Sequence, residues 1–558
     1  MTMQTKHYLA AGAAALAFTG AYAQSPMDAM ALSQQDMRGT ARYMSMGGAF
    51  GALGGDLTTL SQNPAGIGVY RGNEVGLTLD LDMHGAESTS VGGTQGVNKT
   101  HFFLNNIGGV LTLRLPSTAC PNLNFGFTYS KGASFNRNYR GPLGALQTSM
   151  SNWMAGVANN EGVTVGDVTT TNTYDPYNPV SGYQAPWMTI LAYDSYLITP
   201  EGDPDSPTWY GQFDSGTSGN AIYNVSESGG VDNFNIAFGG NINNILYWGM
   251  DFDIASISYR RSTYYEETLQ NAYVEGTNGV EQVASQWGLS DYYRMSGTGF
   301  SYKLGFILKP IQELRIGFAF HTPTYYNLSQ EFSANTLYSY NGEGVKGQET
   351  NGGIPGYSDL RFHTPWKIQV SAAAVIGSNF ILSGEYQWSQ TSKMKFNDPT
   401  YYTGYYDYGW DWYGLGDNDY YGDYGNSYRG VNQAINMYYK DQNTFRIGAE
   451  FRVTPQFSVR AGYANVSSPV KAELKNGNIN VMTSGTSAGY RLDDATNYIT
   501  AGLGYRTGKF YADLAYVYKH QKSTYHAFPQ DAGSSVMSPA ASLSFEQNQV
   551  LLSLGFKF

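Results

Sequence analysis

From Glu74 to the last residue a two-residue rhythm dominates the chain, with apolar side chains at alternate positions and polar or small ones between them. In Glu74 to Met83, Val75, Leu77, Leu79, Leu81 and Met83 share one face, while Gly76, Thr78, Asp80 and Asp82 share the other. A period of two places successive side chains on opposite faces of a strand. The split recurs in Trp248 to Ile254, Leu314 to His321, Phe380 to Trp388, Phe445 to Arg452 and Phe457 to Tyr463, and the polar face carries charges of both signs. Buried without partners, such charges are costly. Whatever covers the polar face must therefore be water or matching polar groups.

A soluble sandwich would turn its apolar faces inward and leave edges to protect. A transmembrane barrel inverts this, with apolar side chains toward lipid, polar ones toward a lumen, and no open edge. The segments have the ~9–11 residues that a tilted strand needs to cross a bilayer. Fourteen are read, near 74–83, 101–114, 123–131, 232–241, 244–258, 293–308, 311–325, 365–377, 379–391, 443–452, 455–465, 495–506, 509–520 and 545–558. Short turns, such as Asn241 to Asn244 and Val453-Thr454-Pro455, alternate with long polar connections, which assigns the short ones to the periplasm and the long ones to the exterior. Trp248, Trp388, Tyr463, Tyr505 and Tyr518 fall near segment ends, where an interfacial girdle sits. Composition agrees, since aromatics reach 15% and charged residues only 14%, against roughly 25% charged in soluble domains. The expected fold is all-β: a transmembrane antiparallel β-barrel of about 14 strands.

No stretch reaches the ~18 apolar residues of a spanning helix. The run from Leu9, preceded by Lys6 and ending in Ala21-Tyr22-Ala23, reads instead as a secretory signal peptide over 1–23. The formal net charge of −11 becomes −12 once Lys6 is removed, which argues against a nucleic-acid partner. Cys120 is the single cysteine, so no internal disulfide exists. It reads as an incidental turn residue. These features together place the protein in the bacterial outer membrane. Its final stretch, Val550 to Phe558, alternates and closes on an aromatic residue, like the signature recognised by the barrel-assembly machinery.

Residues 24–72 do not alternate. Ser25-Pro26 starts a short helix, Asp56 caps another, and Gly47-Gly48 and Gly54-Gly55 punctuate between them. A barrel of this size encloses a channel, so the expected place for this small helical, Gly-rich piece is the lumen. Its Gly39-Thr40-Ala41-Arg42, Met46-Gly47-Gly48-Ala49-Phe50, Gly54-Gly55-Asp56 and Asn63-Pro64-Ala65-Gly66 resemble the N-terminal hatch of the FadL/TodX-type outer-membrane hydrophobic-compound transporters. The resemblance implies a hatch or plug over 24–72 and a barrel over 73–558. It implies uptake of hydrophobic small molecules such as long-chain fatty acids and hydrocarbons into a pocket lined by hatch and wall. Lateral release into outer-membrane lipid would follow, through an opening near a kinked third strand. Asn63, Pro64, Ala65 and Gly66 map onto the gating segment, and Gly126 or Gly132 supplies the kink. Loops 132–230 and 392–442 are longer than the family pattern suggests.

Other signals carry less chemistry. The Gly47–Gly55 cluster lacks the Gly-Lys-Ser/Thr of a phosphate loop. The mature chain's histidines, His84, His101, His321, His363, His520 and His526, are scattered and read as solvated loop residues rather than haem ligands. The Tyr- and Asp-rich stretch from Tyr401 to Tyr428 lacks EF-hand spacing and reads as a self-packed exposed loop. No motif singles out a catalytic constellation, so no enzyme, cofactor or metal site is expected. The competing function is a surface receptor, for haem or another external ligand, using the long Tyr/Asp-rich loops on a sealed barrel.

Overall fold

The computed structural model describes residues 24–179, 183–276, 279–377, 379–399, 427–483, 485–530 and 536–558. The signal peptide and nearly all of the Tyr401 to Tyr428 stretch lie outside them. Fourteen antiparallel strands close into a barrel: β1 (Glu74–Ser90), β2 (Gly93–Arg114), β3 (Asn122–Ser134), β4 (Ser218–Ile242), β5 (Leu246–Gly276), β6 (Gly279–Leu308), β7 (Leu314–His321), β8 (Lys367–Ile376), β9 (Phe380–Ser389), β10 (Gln442–Arg452), β11 (Phe457–Val466), β12 (Tyr490–Thr507), β13 (Phe510–His526) and β14 (Ala540–Lys557). Each pairs with its neighbours in sequence, and β14 returns to β1 from Lys557↔Glu74 to Ser542↔Thr89. All fourteen expected segments are barrel strands. Each strand is thus paired on both sides around the ring, as hydrocarbon requires.

The alternation behaves as the barrel reading demands. Exposed apolar side chains, among them Val75, Leu111, Phe127, Ile236, Phe252, Ile316, Phe445, Ile499, Leu552 and Phe556, ring the outer face. Asp80, Asp82, Asp251, Glu385, Glu450 and Asp513 point inward and are buried. Leu115 to Pro121, which contains Cys120, is one of the short turns at the end where Asn73 and Phe558 exchange backbone hydrogen bonds.

Two connections expected to be long loops are instead strand. Residues 84–100 carry β1 and β2 onward to a tight turn at Val91-Gly92, and β5 and β6 continue to residues 276 and 279. Period two persists there, but the outward positions turn polar: above Ile254, β5 presents Ser256, Ser258, Arg260 and Ser262. The hydrocarbon ends where those positions change character, while backbone pairing continues into water. The described parts of the remaining long connections build a cap over the mouth. It includes α4 (Met150–Glu161) and α5 (Trp187–Asp194), and a continuous apolar core runs through Met154, Trp187, Trp209, Trp287, Phe332 and Phe396.

Candidate functional site

Residues 24–72 lie in the lumen and fold by their own caps. Ser25 and Asp28 form a reciprocal capping box on α1 (Pro26–Ser33), and Thr40 Oγ1 accepts from Tyr43 N to start α2 (Ala41–Ser45). Asp56 accepts from Thr58 N at 2.9 Å and from the Thr40 hydroxyl at 2.8 Å, ahead of α3 (Thr59–Gln62). Asn63 is extended, and Pro64 opens a 3-10 helix, Pro64–Val69, at a position where its missing N–H costs nothing. The Asn63 Nδ2 donates to Gly51 O at 2.5 Å, and its Oδ1 accepts from Ala65 N at 3.2 Å. Gly66 is pressed against Gly54: a Cβ there would lie 2.5 Å from Thr59 Oγ1 and 3.1 Å from the Gly54 Cα. The four residues read as a gate thus form one compact turn, fastened to the glycine turns before it.

Lumen-facing glycines in the wall make the seat. Gly239, Gly249 and Gly305 are cross-strand partners in β4, β5 and β6. A Cβ on Gly305 would fall 2.0 Å from Asn63 Oδ1, and one on Gly249 would fall 2.1 Å from Pro64 O. Opposite, Gly448 and Gly462 pair between β10 and β11, and Cβ atoms on them would fall 2.2 Å from Met46 O and Gly47 N. Sequence reasoning did not identify these positions. Their signal was a glycine on the polar face in mid-strand, where propensity disfavours it.

Charge then locks the seat. Arg38 bridges the two carboxylates that alternation had marked as costly, at 3.0 Å to Asp80 and 2.9 Å to Asp82, with Gln549 and Gln547 donating to the same groups. Arg42 reaches Glu450 at 3.0 Å, which Arg460 shares at 2.6 Å. Glu385 accepts from Gly51 N and from Gln62 Nε2, both at 2.9 Å, and pairs with Arg446. His321, expected as a solvated loop residue, faces inward and donates to Gln62 O at 2.8 Å. His84, His101, His520 and His526 also lie in barrel strands rather than loops, because the strands outrun the membrane. Among the described residues no cluster of His, Cys, Asp or Glu is arranged to hold a metal ion.

The ladder between β2 and β3 is interrupted part-way up the wall. They pair from Arg114↔Asn122 up to Asn106↔Ser130 and stop, while β2 runs on to Gly93 with β1 alone as partner. Both strands are bulged at that point. Asn105 is the extra residue where the β1–β2 register shifts, and Gly132 is the extra residue where the β3–β4 register shifts. The Asn106 amide at the top of the seam is buried without a hydrogen-bond partner among the described residues. The N-terminal segment spans both bulges: Asp36 N donates to Gly132 O at 3.3 Å, Asp36 Oδ2 accepts from Ser134 N at 3.0 Å, and Asn105 Nδ2 donates to Gly39 O at 3.3 Å.

Of the two glycines named for a kink, Gly132 sits in the distortion and Gly126 does not. Gly126 pairs regularly with Val110 and Ala237, and a Cβ on it would meet Leu60 at 2.3 Å, so its smallness serves the lumenal segment. The Asn63-Pro64-Ala65 turn lies on β5 and β6. Its neighbours Leu60 and Ile67 are what reach β3. The expected greasy pocket also differs. The lumenal cavity above the segment is about 100 Å³, and Met27, Met30 and Tyr439 share its lining with Glu227, Arg261, Arg491, Asp493 and Lys519. The apolar concavity, about 830 Å³, lies along the outer wall below the seam, between Phe125, Phe127 and Ile236 on one side and Phe510, Phe556 and Phe558 on the other.

A closed 14-strand barrel with a lipid-facing apolar band and its own N-terminal segment in the lumen defines an outer-membrane transport protein. The chain belongs to the outer membrane protein transport protein family (OMPP1/FadL/TodX), whose family model matches residues 233–557, more than half of its length. No curated protein matches it in sequence. Among solved structures it is similar to the Pseudomonas putida toluene transporter TodX (13% identity, 94% of this chain and 99% of that one, TM-score 0.47). It is likewise similar to a Pseudomonas aeruginosa FadL homologue (11% identity, 94% and 99%, TM-score 0.47) and to the CymD monoaromatic hydrocarbon channel (13% identity, 94% and 99%, TM-score 0.45).

Proposed function

We propose that the protein takes up hydrophobic compounds such as long-chain fatty acids, with residues 24–72 as a hatch and the β2–β3 seam as a lateral exit into outer-membrane lipid. The observation that supports this reading is that the N-terminal segment bonds to both bulges where the β2–β3 ladder ends. Asp36, Arg38 and Gly39 contact both bulges and the β1 carboxylates beside them. Displacing the hatch therefore removes at once the groups that satisfy the seam's backbone and charges. An apolar solute leaving there passes into lipid without crossing water, which is favourable at each stage. Asn63, Pro64, Ala65 and Gly66 act as the anchor, pinned on the Gly249–Gly305 pair while residues 34–40 move. Export by the signal peptide and insertion by the barrel-assembly machinery complete this reading.

The test is uptake of a labelled long-chain fatty acid by cells carrying the intact chain, against a variant with Asn63-Pro64-Ala65 replaced and surface expression matched. Uptake that depends on the turn supports hatch gating. Absence of transport by both forms, with both migrating as heat-modifiable barrels, overturns it and favours the receptor reading, in which the loops and cap bind an external ligand.

A further inference from the structure

Above the hydrocarbon band β4, β5 and β6 continue as a sheet. The loop strand Tyr325–Tyr340 pairs with β6, so four strands stand side by side outside the membrane. Register aligns their outward positions into two adjacent rows: Asn224–Tyr264–Ser290–Asn335 and Ser226–Ser262–Tyr292–Ser333. All eight side chains carry a hydroxyl or an amide, and none is charged. Together with Thr263 and Asp291, whose carboxylate is held by Thr263 and Ser487, they line a shallow groove of about 350 Å³. Asn224, Ser262, Ser290, Tyr292, Ser333 and Asn335 make no side-chain hydrogen bond to another described residue, so their donors and acceptors remain open to a ligand. The ring of Tyr264 leans over Gly288, where a Cβ would lie 2.8 Å from the tyrosine oxygen and 3.0 Å from its ring. The glycine leaves the ring room to lie down along the sheet.

We propose that this face binds a neutral saccharide chain presented at the cell surface. An apolar partner would bury six unpaired polar side chains at a cost. A strongly charged partner would find no countercharge within the rows. A polyhydroxylated chain matches both features, because its hydroxyls pair with amides and hydroxyls held ~4.8 Å apart from strand to strand, and its C–H faces stack on tyrosine rings. The side chains already stand on a paired sheet, so little ordering is lost on binding. The inference is independent of the transport reading and of the Tyr401–Tyr428 loop.

The test uses the full chain in detergent and saturation-transfer NMR with neutral glucan, mannan and galactan hexasaccharides, beside heparin as a polyanion. At least one neutral oligosaccharide should bind, and Y264A/Y292A should weaken it by at least about tenfold while the barrel remains heat-modifiable. Gly288→Val, which evicts the Tyr264 ring, should weaken it less. No binding of any neutral oligosaccharide by the intact chain overturns the proposal. So does binding unchanged in the double variant, or a preference for heparin through Arg260 and Arg294.

Discussion

Two seams of the same barrel are built in opposite ways. Between β5 and β6 the ladder runs from Leu246↔Leu308 to Gly276↔Gly279 with one register shift, far above the hydrocarbon. Between β2 and β3 it ends at Asn106↔Ser130, with a bulge in each strand. The first is secured by its own backbone. The second is secured by side chains and backbone groups of another segment, Asp36, Arg38 and Gly39. Backbone ladders break only with the fold, whereas a clasp supplied by a separate segment can be withdrawn. Under the proposed lateral exit, wall strength and wall gating would fall to different seams.

The largest expected effect comes from removing the clasp. Arg38→Met removes the guanidinium from between the buried Asp80 and Asp82 and leaves only the His84 imidazole, 3.1 Å from Asp82, a loss of about 3–5 kcal/mol. Urea titration of the folded barrel should show it, with faster hydrogen exchange confined to residues 93–105 and 130–136. Equal protection at both seams in this variant would refute the contrast.

Next is the cap above the stronger seam. Glu267, on β5 beyond the hydrocarbon, accepts from Met150 N at 2.8 Å, Ser149 Oγ at 2.5 Å and Tyr265 Oη at 2.6 Å, tying the start of α4 to the strand. Burial pushes its carboxyl up to about 7 from 4.5. A raised acid is protonated more readily folded than unfolded, so its stabilisation is full below about pH 4.5 and is lost as pH rises through about 7. Docking of α4 should weaken across that window by roughly 3 kcal/mol, read as exchange at residues 150–161. Glu267→Gln should flatten the dependence, while the β2–β3 seam stays unaffected.

How much of this was legible in the sequence depends on the range of the interaction. The strands and the outward band follow from period two, a local property, and all fourteen segments appeared. Asp80 and Asp82 were recognisable as a problem, but Arg38 as its solution was not, because the pairing crosses from lumen to wall. The polar upper strands were misread as loops, since loss of the apolar face was taken for loss of the strand. The Asn63 turn was found as a motif, but its seat was not, since only closure of the barrel sets β5 and β6 behind it. The wall glycines that make its seat lie about 180 to 240 residues away and show no pattern until register aligns them.

That register supplies the third prediction. Gly305→Ala puts a Cβ 2.0 Å from Asn63 Oδ1 and 2.8 Å from Ala65 N, both held by the hatch's own bonds, so the turn must lift off the wall. An overpacking cost of about 1–3 kcal/mol follows, with fatty-acid uptake falling in step. Gly384→Ala, in β9, meets nothing within 4 Å and should change neither. A loss at Gly384 equal to that at Gly305 would show that mid-strand glycine matters for barrel assembly, and not for seating.

The smallest effect belongs to Gly132. Its backbone needs no left-handed conformation, and the nearest atoms to a Cβ there belong to the Asn233 amide, its nitrogen at 2.8 Å, at the end of a side chain that can turn away. Gly132→Val should therefore cost less than about 1 kcal/mol and leave folding intact. Its effect should fall on motion: a β-branched residue stiffens the extra position of the bulge without filling it. If solute leaves between β2 and β3, uptake should slow severalfold at unchanged stability, and Gly126→Ala should instead lose stability through its clash with Leu60. Uptake unchanged by Gly132→Val would move the exit away from this seam, leaving the clasp as a device of stability alone.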